Sequence, residues 1–213
     1  MTSCHNGHVY VPQRHSVDDD EAWTIVRDAG SGALIVAAPD GLASVFVPVV
    51  VSDDRRTMTS HLARANPWWR SVNANDEVLA LFLVASAYVT PSYYPSRYED
   101  PGVVPTWNYV AAEVRGRVRL HEEQEWKLTQ VRAVTHQFEQ DRDPAWRVDD
   151  LDESFRQRQL AAVVGVEIEV ISIEGKAKLS QNRPEEDRLS VQRHFEGGTP
   201  AERIVAARMR STD

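Results

Sequence analysis

Apolar and polar residues alternate most strictly between Thr106 and His121. Val110, Ala112, Val114, Val118 and Leu120 fall on one side, and Glu113, Arg115, Arg117 and Arg119 on the other. A period of two predicts a half-buried β-strand. The same alternation returns in Val166, Ile168 and Val170 against Glu167 and Glu169. Earlier, Ala33–Ala38 and Leu42–Ser52 flank Pro39-Asp40-Gly41, which predicts a hairpin with Gly41 at positive φ. Asp53 to Arg56 turns the chain into a further strand, Thr57–Ala63, and Glu77–Val84 and Ala87–Pro95 read as extended. Glu174-Gly175 predicts a tight turn, with Ala177–Ser180 returning as a strand.

Helical signals lie between these runs. Ser16 ahead of Val17-Asp18-Asp19-Asp20-Glu21 predicts a capped helix start, with Trp23, Ile25, Val26 and Ala29 as the buried stripe and Gly30 as the stop. Asn66-Pro67 predicts a short helix through Trp68 and Trp69. Glu122–Gln140, roughly Leu151–Val163, and two short helices at about 184–210 complete the set. Strands in runs with helices inserted late, rather than strict β-α alternation, predict an α+β protein. Its antiparallel sheet is expected to curl into a small barrel with flanking helices. No linker divides the chain, so a single domain over 1–213 is expected, with a polar leader at 1–8.

Two strands are apolar on both faces: Val45, Phe46, Val47, Val49, Val50 and Val51, and Val78, Leu79, Leu81, Phe82 and Leu83. A strand with one wet face alternates, so these outer faces need a helix or a second subunit over them. The net charge of −8 argues against a protein that mainly grips nucleic acid. The Arg115, Arg117 and Arg119 stripe is accordingly read as structural, with Glu113, Glu167 and Glu169 as cross-strand partners or as a solvated ladder. The longest nearly apolar stretch, Val78–Val89, is too short for a bilayer. Met1–His8 lacks a signal peptide's apolar core, and the single cysteine, Cys4, permits no internal disulfide. A reducing, cytoplasmic setting is expected. No histidine has a paired carboxylate or thiolate at zinc-ligand spacing, and no glycine-rich phosphate loop or nucleophile elbow occurs.

Four segments carry a resemblance. They are His61-Leu-Ala-Arg-Ala-Asn-Pro-Trp-Trp69, Ala87-Tyr-Val-Thr-Pro-Ser-Tyr-Tyr94, Val104-Pro-Thr-Trp-Asn-Tyr109 and Ile173-Glu-Gly-Lys-Ala-Lys-Leu-Ser-Gln-Asn-Arg183. In order and spacing they resemble the PaiB-type proteins, described as negative transcriptional regulators of the FMN-binding split-barrel superfamily. The resemblance covers about Val9 to Phe195. It implies an antiparallel split β-barrel, a homodimer, and FMN sites near the subunit interface, with haem as the cofactor of some relatives. Three readings follow: an FMN protein with flavin-dependent oxidoreductase chemistry on an unidentified small-molecule substrate, a regulator binding DNA or a protein partner, and a haem-binding split barrel.

FMN needs cations and amides for its phosphate and flat walls for its ring. His61, Arg64 and Asn66 suit the phosphate end, since their strand runs into a helix start; the plainer reading has Asn66 only capping and Arg64 in solvent. Trp107 and Asn108 combine a ring wall with an amide, against ordinary core positions. The likeness makes Lys178, Gln181 and Asn182 candidates for cofactor or interface contacts, against a solvated loop.

Overall fold

The computed structural model describes residues 10–99 and 102–210, and the polar leader and Cys4 lie outside the described residues. Eight strands form one antiparallel sheet in the order β3-β2-β6-β7-β8-β5-β4, with β1 on β8. They are β1 (Ser16–Val17), β2 (Ser31–Ala38), β3 (Gly41–Pro48), β4 (Val50–Val51), β5 (Thr57–Ala63), β6 (Glu77–Val89), β7 (Thr106–His121) and β8 (Val163–Lys178). Five helices accompany them: α1 (Asp19–Ala29), α2 (Gln124–Glu139), α3 (Glu153–Ala161), α4 (Glu185–Glu196) and α5 (Pro200–Arg210). The expected α+β class and antiparallel sheet are what the structure shows.

By contacts the chain forms two compact units. One comprises residues up to Asp28, Leu83–Glu113 and Glu174 onward, and the other Ala29–Phe82 and Val114–Ile173. The second holds the hairpin, whose register runs from Ser31 opposite Pro48 to Ala38 opposite Gly41, with Gly41 at φ 123°. Leu34, Val36, Val45, Val47, Val78, Ala80 and Phe82 form its core side. The first holds α1, α4 and α5, where Ile25, Val26, Val191, Phe195, Val205 and Ala206 are all buried.

Three expectations are corrected. Ser16 does not cap α1: it pairs with Lys176 as part of β1, and Asp18 caps instead, its Oδ1 accepting from Glu21 N at 2.9 Å. Glu77–Val84 and Ala87–Pro95 are not two runs but one strand to Val89, followed by 3-10 turns at Pro91–Tyr93 and Pro95–Tyr98. Glu174-Gly175 is not a turn. It lies within β8, where Gly175 pairs with Val17. A Cβ on Gly175 would sit 2.8 Å from Ala22 Cβ and closer still to the Val17 side chain. Glycine stands there so that α1 and β1 can lie on the strand.

Of the partners expected for the arginine stripe, Glu169 is met by Arg119. Arg119 lies 3.2 Å from Glu169, Arg115 lies 3.4 Å from Glu77, and Arg117 donates to the Asn75 carbonyl at 3.1 Å. Replacing Gly175 with Ala should lower unfolding stability by about 1–3 kcal/mol through overpacking, measured by denaturant titration; an unchanged midpoint would show that the contact relaxes freely.

Candidate functional site

The sequence-predicted residues fall in two groups, one in each unit. In the unit of residues 29–82 and 114–173, Asn66 acts as a helix cap: its Oδ1 accepts from Trp68 N at 3.0 Å, ahead of a 3-10 helix over Pro67–Ser71. Arg64 is fully employed. It forks onto Glu122, with Nη1 2.9 Å from Oε1 and Nη2 on Oε2, while Nε donates to the Ala161 carbonyl at 2.8 Å. Nη2 also donates to the Val163 carbonyl at 3.2 Å. The guanidinium therefore ties the end of α3 and the start of β8 to the short connection ahead of α2. Each partner's charge favours the other's, so Glu122 is held below the usual carboxylate range, chiefly by its hydrogen bond to Arg64. His61 Nδ1 lies 2.7 Å from Gln130 Oε1, on α2.

In the other unit, the pleat of β7 separates Trp107 from Asn108. Trp107 is 52% exposed and meets Tyr88 edge-on at 5.9 Å, whereas Asn108 is fully buried. Asn108 exchanges hydrogen bonds with Ser180 Oγ at 3.0 and 3.1 Å. Ser180 holds φ 66°, a left-handed conformation that costs a non-glycine residue energy and that this buried amide helps to fix. Lys178 Nζ donates to Thr106 Oγ1 and, at 2.8 Å, to the Trp107 carbonyl. Gln181 is spent on structure: Oε1 accepts from Leu179 N at 2.7 Å and faces His15 Nδ1 at 3.0 Å, and Nε2 donates to the Ala177 carbonyl at 2.6 Å. Burial holds the His15 imidazole below its ordinary value, the Gln181 bond working in the opposite direction.

Asn108, Lys178 and Asn182 line one cavity of about 160 Å³, together with Tyr94, Ser180 and Arg183. Two of these residues escaped the sequence reading. Tyr94, at the end of the second resembling segment, is wholly buried, and its hydroxyl forms no hydrogen bond of ordinary geometry. Arg183 lies over the Tyr94 ring at 4.6 Å. Burial raises the Tyr94 pKa, partly offset by Arg183, so the phenol stays protonated as a donor. Lys178 is pushed down, first by desolvation and then by the charge of Lys176. Asp187, the one carboxylate acting on Tyr94, is buried and occupied by Ser96, from N at 3.1 Å and from Oγ at 2.6 Å. The cavity thus combines two cations, a buried phenol and amides. That donor set fits an oxyanion, and a flavin phosphate among them. Among the described residues no group of three or more metal-ligating side chains is arranged to hold an ion.

Solved structures share this architecture. Flavocytochrome Anf3 from Azotobacter vinelandii superposes with a TM-score of 0.62 at 10% identity, over 85% of this chain and 78% of that one. The FAD and haem binding protein from Mycobacterium smegmatis gives 0.60 at 12% identity, over 83% and 79%. The likeness shows the fold, an α+β split barrel. The family described as "Putative FMN-binding domain" matches residues 9–172, and the chain belongs to it, with FMN as the cofactor that family defines. Protease synthase and sporulation protein PAI 2 of Bacillus subtilis (strain 168) is 31% identical over 186 residues, 86% of this chain and 87% of that protein. Uncharacterized protein AN0679 of Emericella nidulans is 34% identical over 221 residues, 85% and 88%. The resemblance to PaiB-type proteins holds along most of the chain.

Arg64→Ala should cost about 1–2 kcal/mol of stability, since two carbonyls and a partly exposed carboxylate lose their donor. Glu122 has a depressed folded-state pKa, so its contribution is present above its unfolded value and fades as pH falls through the folded one. Arg64→Ala should therefore flatten the acid limb of a stability–pH profile, and a parallel profile would refute the clamp.

Proposed function

We propose that this chain is a homodimeric FMN protein in which the cavity lined by Asn108, Lys178, Asn182, Arg183 and Tyr94 receives the FMN phosphate. The observation that carries this is Lys178: a desolvated cation with a further cation, Lys176, acting on it and, among the described residues, no carboxylate partner. A partly buried charge without a counter-charge is disfavoured, and a dianion beside Lys178 and Arg183 supplies one. The Tyr94 hydroxyl and the Asn182 amide then complete a set of directed donors. Arg64 is a poorer receiver, because its guanidinium already faces Glu122, whose carboxylate repels phosphate. When bound, the flavin supplies hydride or electron transfer, and these side chains fix where its anionic end lies.

The sheet supports the dimer. On the outer face of β3, β2 and β6, the register sets Phe46 beside Ala33 and Ala33 beside Leu81, with Ile35 beside Leu79 in the next row. Phe46 is 70% exposed and Leu81 39%. No helix covers this face among the described residues, so the strands that read as apolar on both sides keep one apolar face open. A second copy of the chain buries it, in an isologous contact of roughly the 1,600 Å² typical of stable interfaces.

Lys178→Gln should weaken FMN about ten- to a hundredfold, as expected for a hydrogen bond to a charged group. Riboflavin, which lacks the phosphate, should bind the variant and the parent alike. Titration by flavin fluorescence checks both, and equal losses for the two ligands would place the phosphate elsewhere. The sign of the pH dependence follows from the depressed Lys178 pKa. FMN favours the protonated amine, so its affinity should fall as pH rises through that pKa, below lysine's ordinary 10.5. The fall should be absent in Lys178→Gln. For assembly, Phe46→Lys with Leu81→Lys should sediment as a monomer at micromolar concentration where the parent is a dimer; a monomeric parent would overturn the interface.

A further inference from the structure

A second cavity, wholly within the unit of residues 29–82 and 114–173, has a different chemistry. It holds about 320 Å³, near the lower end of small-molecule sites at roughly 300–1,000 Å³. Val131 of α2, Val148, Leu160 of α3 and Val163 of β8 form apolar walls, and Trp146 and Phe155 stand at its margin. Those two aromatics are 48% and 42% exposed, apolar area that nothing among the described residues covers. Helix α3 buries only Leu160.

His61 and the Gln159 amide are the neutral polar side chains that line this cavity. An amide oxygen can only accept, so with Nδ1 2.7 Å from Gln130 Oε1 the proton of the neutral imidazole sits on Nδ1, and Nε2 is that tautomer's acceptor. Gln130 is 3% exposed and its own Nε2 has no partner, so the amide is buried on α2 with its contact to His61 as its hydrogen bond. Among the described residues no hydrogen bond reaches His61 Nε2. Arg156 also touches the cavity, but Glu153 pairs with it and Asp149 stands 3.5 Å away, so it offers no spare charge.

We infer that this cavity binds a neutral, flat aromatic molecule carrying a hydroxyl, a ligand of the phenol class. Its ring lies against Trp146 and Phe155, and its O–H donates to His61 Nε2. An anion finds no uncompensated cation here, and a plain hydrocarbon leaves the oriented imidazole without a donor. The site is separate from the proposed phosphate cavity and does not rest on it.

Equilibrium dialysis of the full-length chain, with and without saturating FMN, tests this with 2-naphthol and 2-methoxynaphthalene as probes. Naphthol should bind once per chain in both conditions, and the methyl ether, which cannot donate, about tenfold more weakly. His61→Phe should bring naphthol down to the affinity of the ether. Phe155→Ser, at a half-exposed position where folding is not at stake, should weaken both probes. The inference is overturned if naphthol fails to bind, if the two probes bind the parent equally, if FMN displaces naphthol, or if Phe155→Ser leaves both unchanged. The parent and Phe155→Ser measurements decide the matter even if His61→Phe does not fold.

Discussion

Trp126 lies directly on the backbone of β8 at Gly165. A Cβ there would stand 2.6 Å from Trp126 Cε3 and nearer still to the ring's far edge. The indole also meets His121, stacked at 4.0 Å and 4° from parallel. This seat positions the whole of α2, and α2 then hands side chains to the strands beneath it. Gln130 reaches His61, Gln137 donates to the Val49 carbonyl at 3.1 Å, and the buried Lys127 donates to the Val163 carbonyl at 3.4 Å. The last two reach a break between strands and a strand end, Val49 between β3 and β4 and Val163 at the start of β8. A helix with a weak apolar stripe can be held in this way, by one aromatic seat and several directed hydrogen bonds.

The two cavities show how burial and charge divide the chemistry of one chain. Beside Lys178 and Arg183, cations are kept close to a buried phenol with the local acid, Asp187, already committed to Ser96. Beside His61, the one cation is neutralised by its own helix and loop, and the walls are hydrocarbon. Desolvation acts on the Lys178 amine and leaves a charge wanting a partner; at the second cavity the directed group is an imidazole held by an amide.

Much of the fold was legible because local period and turn chemistry agreed with the tertiary answer. Thr57–Ala63 and Thr106–His121 fall where alternation places them, and the hairpin turns at Pro39-Asp40. Gly175 was misread because a glycine demanded by close packing looks, in sequence, the same as one demanded by a turn. Ser16 was misread because its pairing partner, Lys176, lies far along the chain. The candidate site was only half legible. Lys178, Asn108 and Asn182 share a cavity, but the engagement of Arg64 with Glu122 and of Gln181 with Leu179 and Ala177 depends on distant neighbours. Tyr94 could have been suspected from its aromatic-rich, proline-bounded segment, yet its buried hydroxyl is purely a tertiary fact.

Strands β7 and β8 each run sixteen residues and pass through both compact units. Pleat is a shared phase: a residue inserted or deleted anywhere in such a strand exchanges its two faces from that point onward. In β7, a deletion near Val110 would bring the inward face of Asn108 out of step with the arginine stripe beyond it, so one half or the other would turn its charges to the core. Inheritance is therefore permissive about what β7 and β8 carry and strict about how long they are. Divergence among relatives should accumulate in them as substitutions, and changes of length should be confined to the connections at their ends.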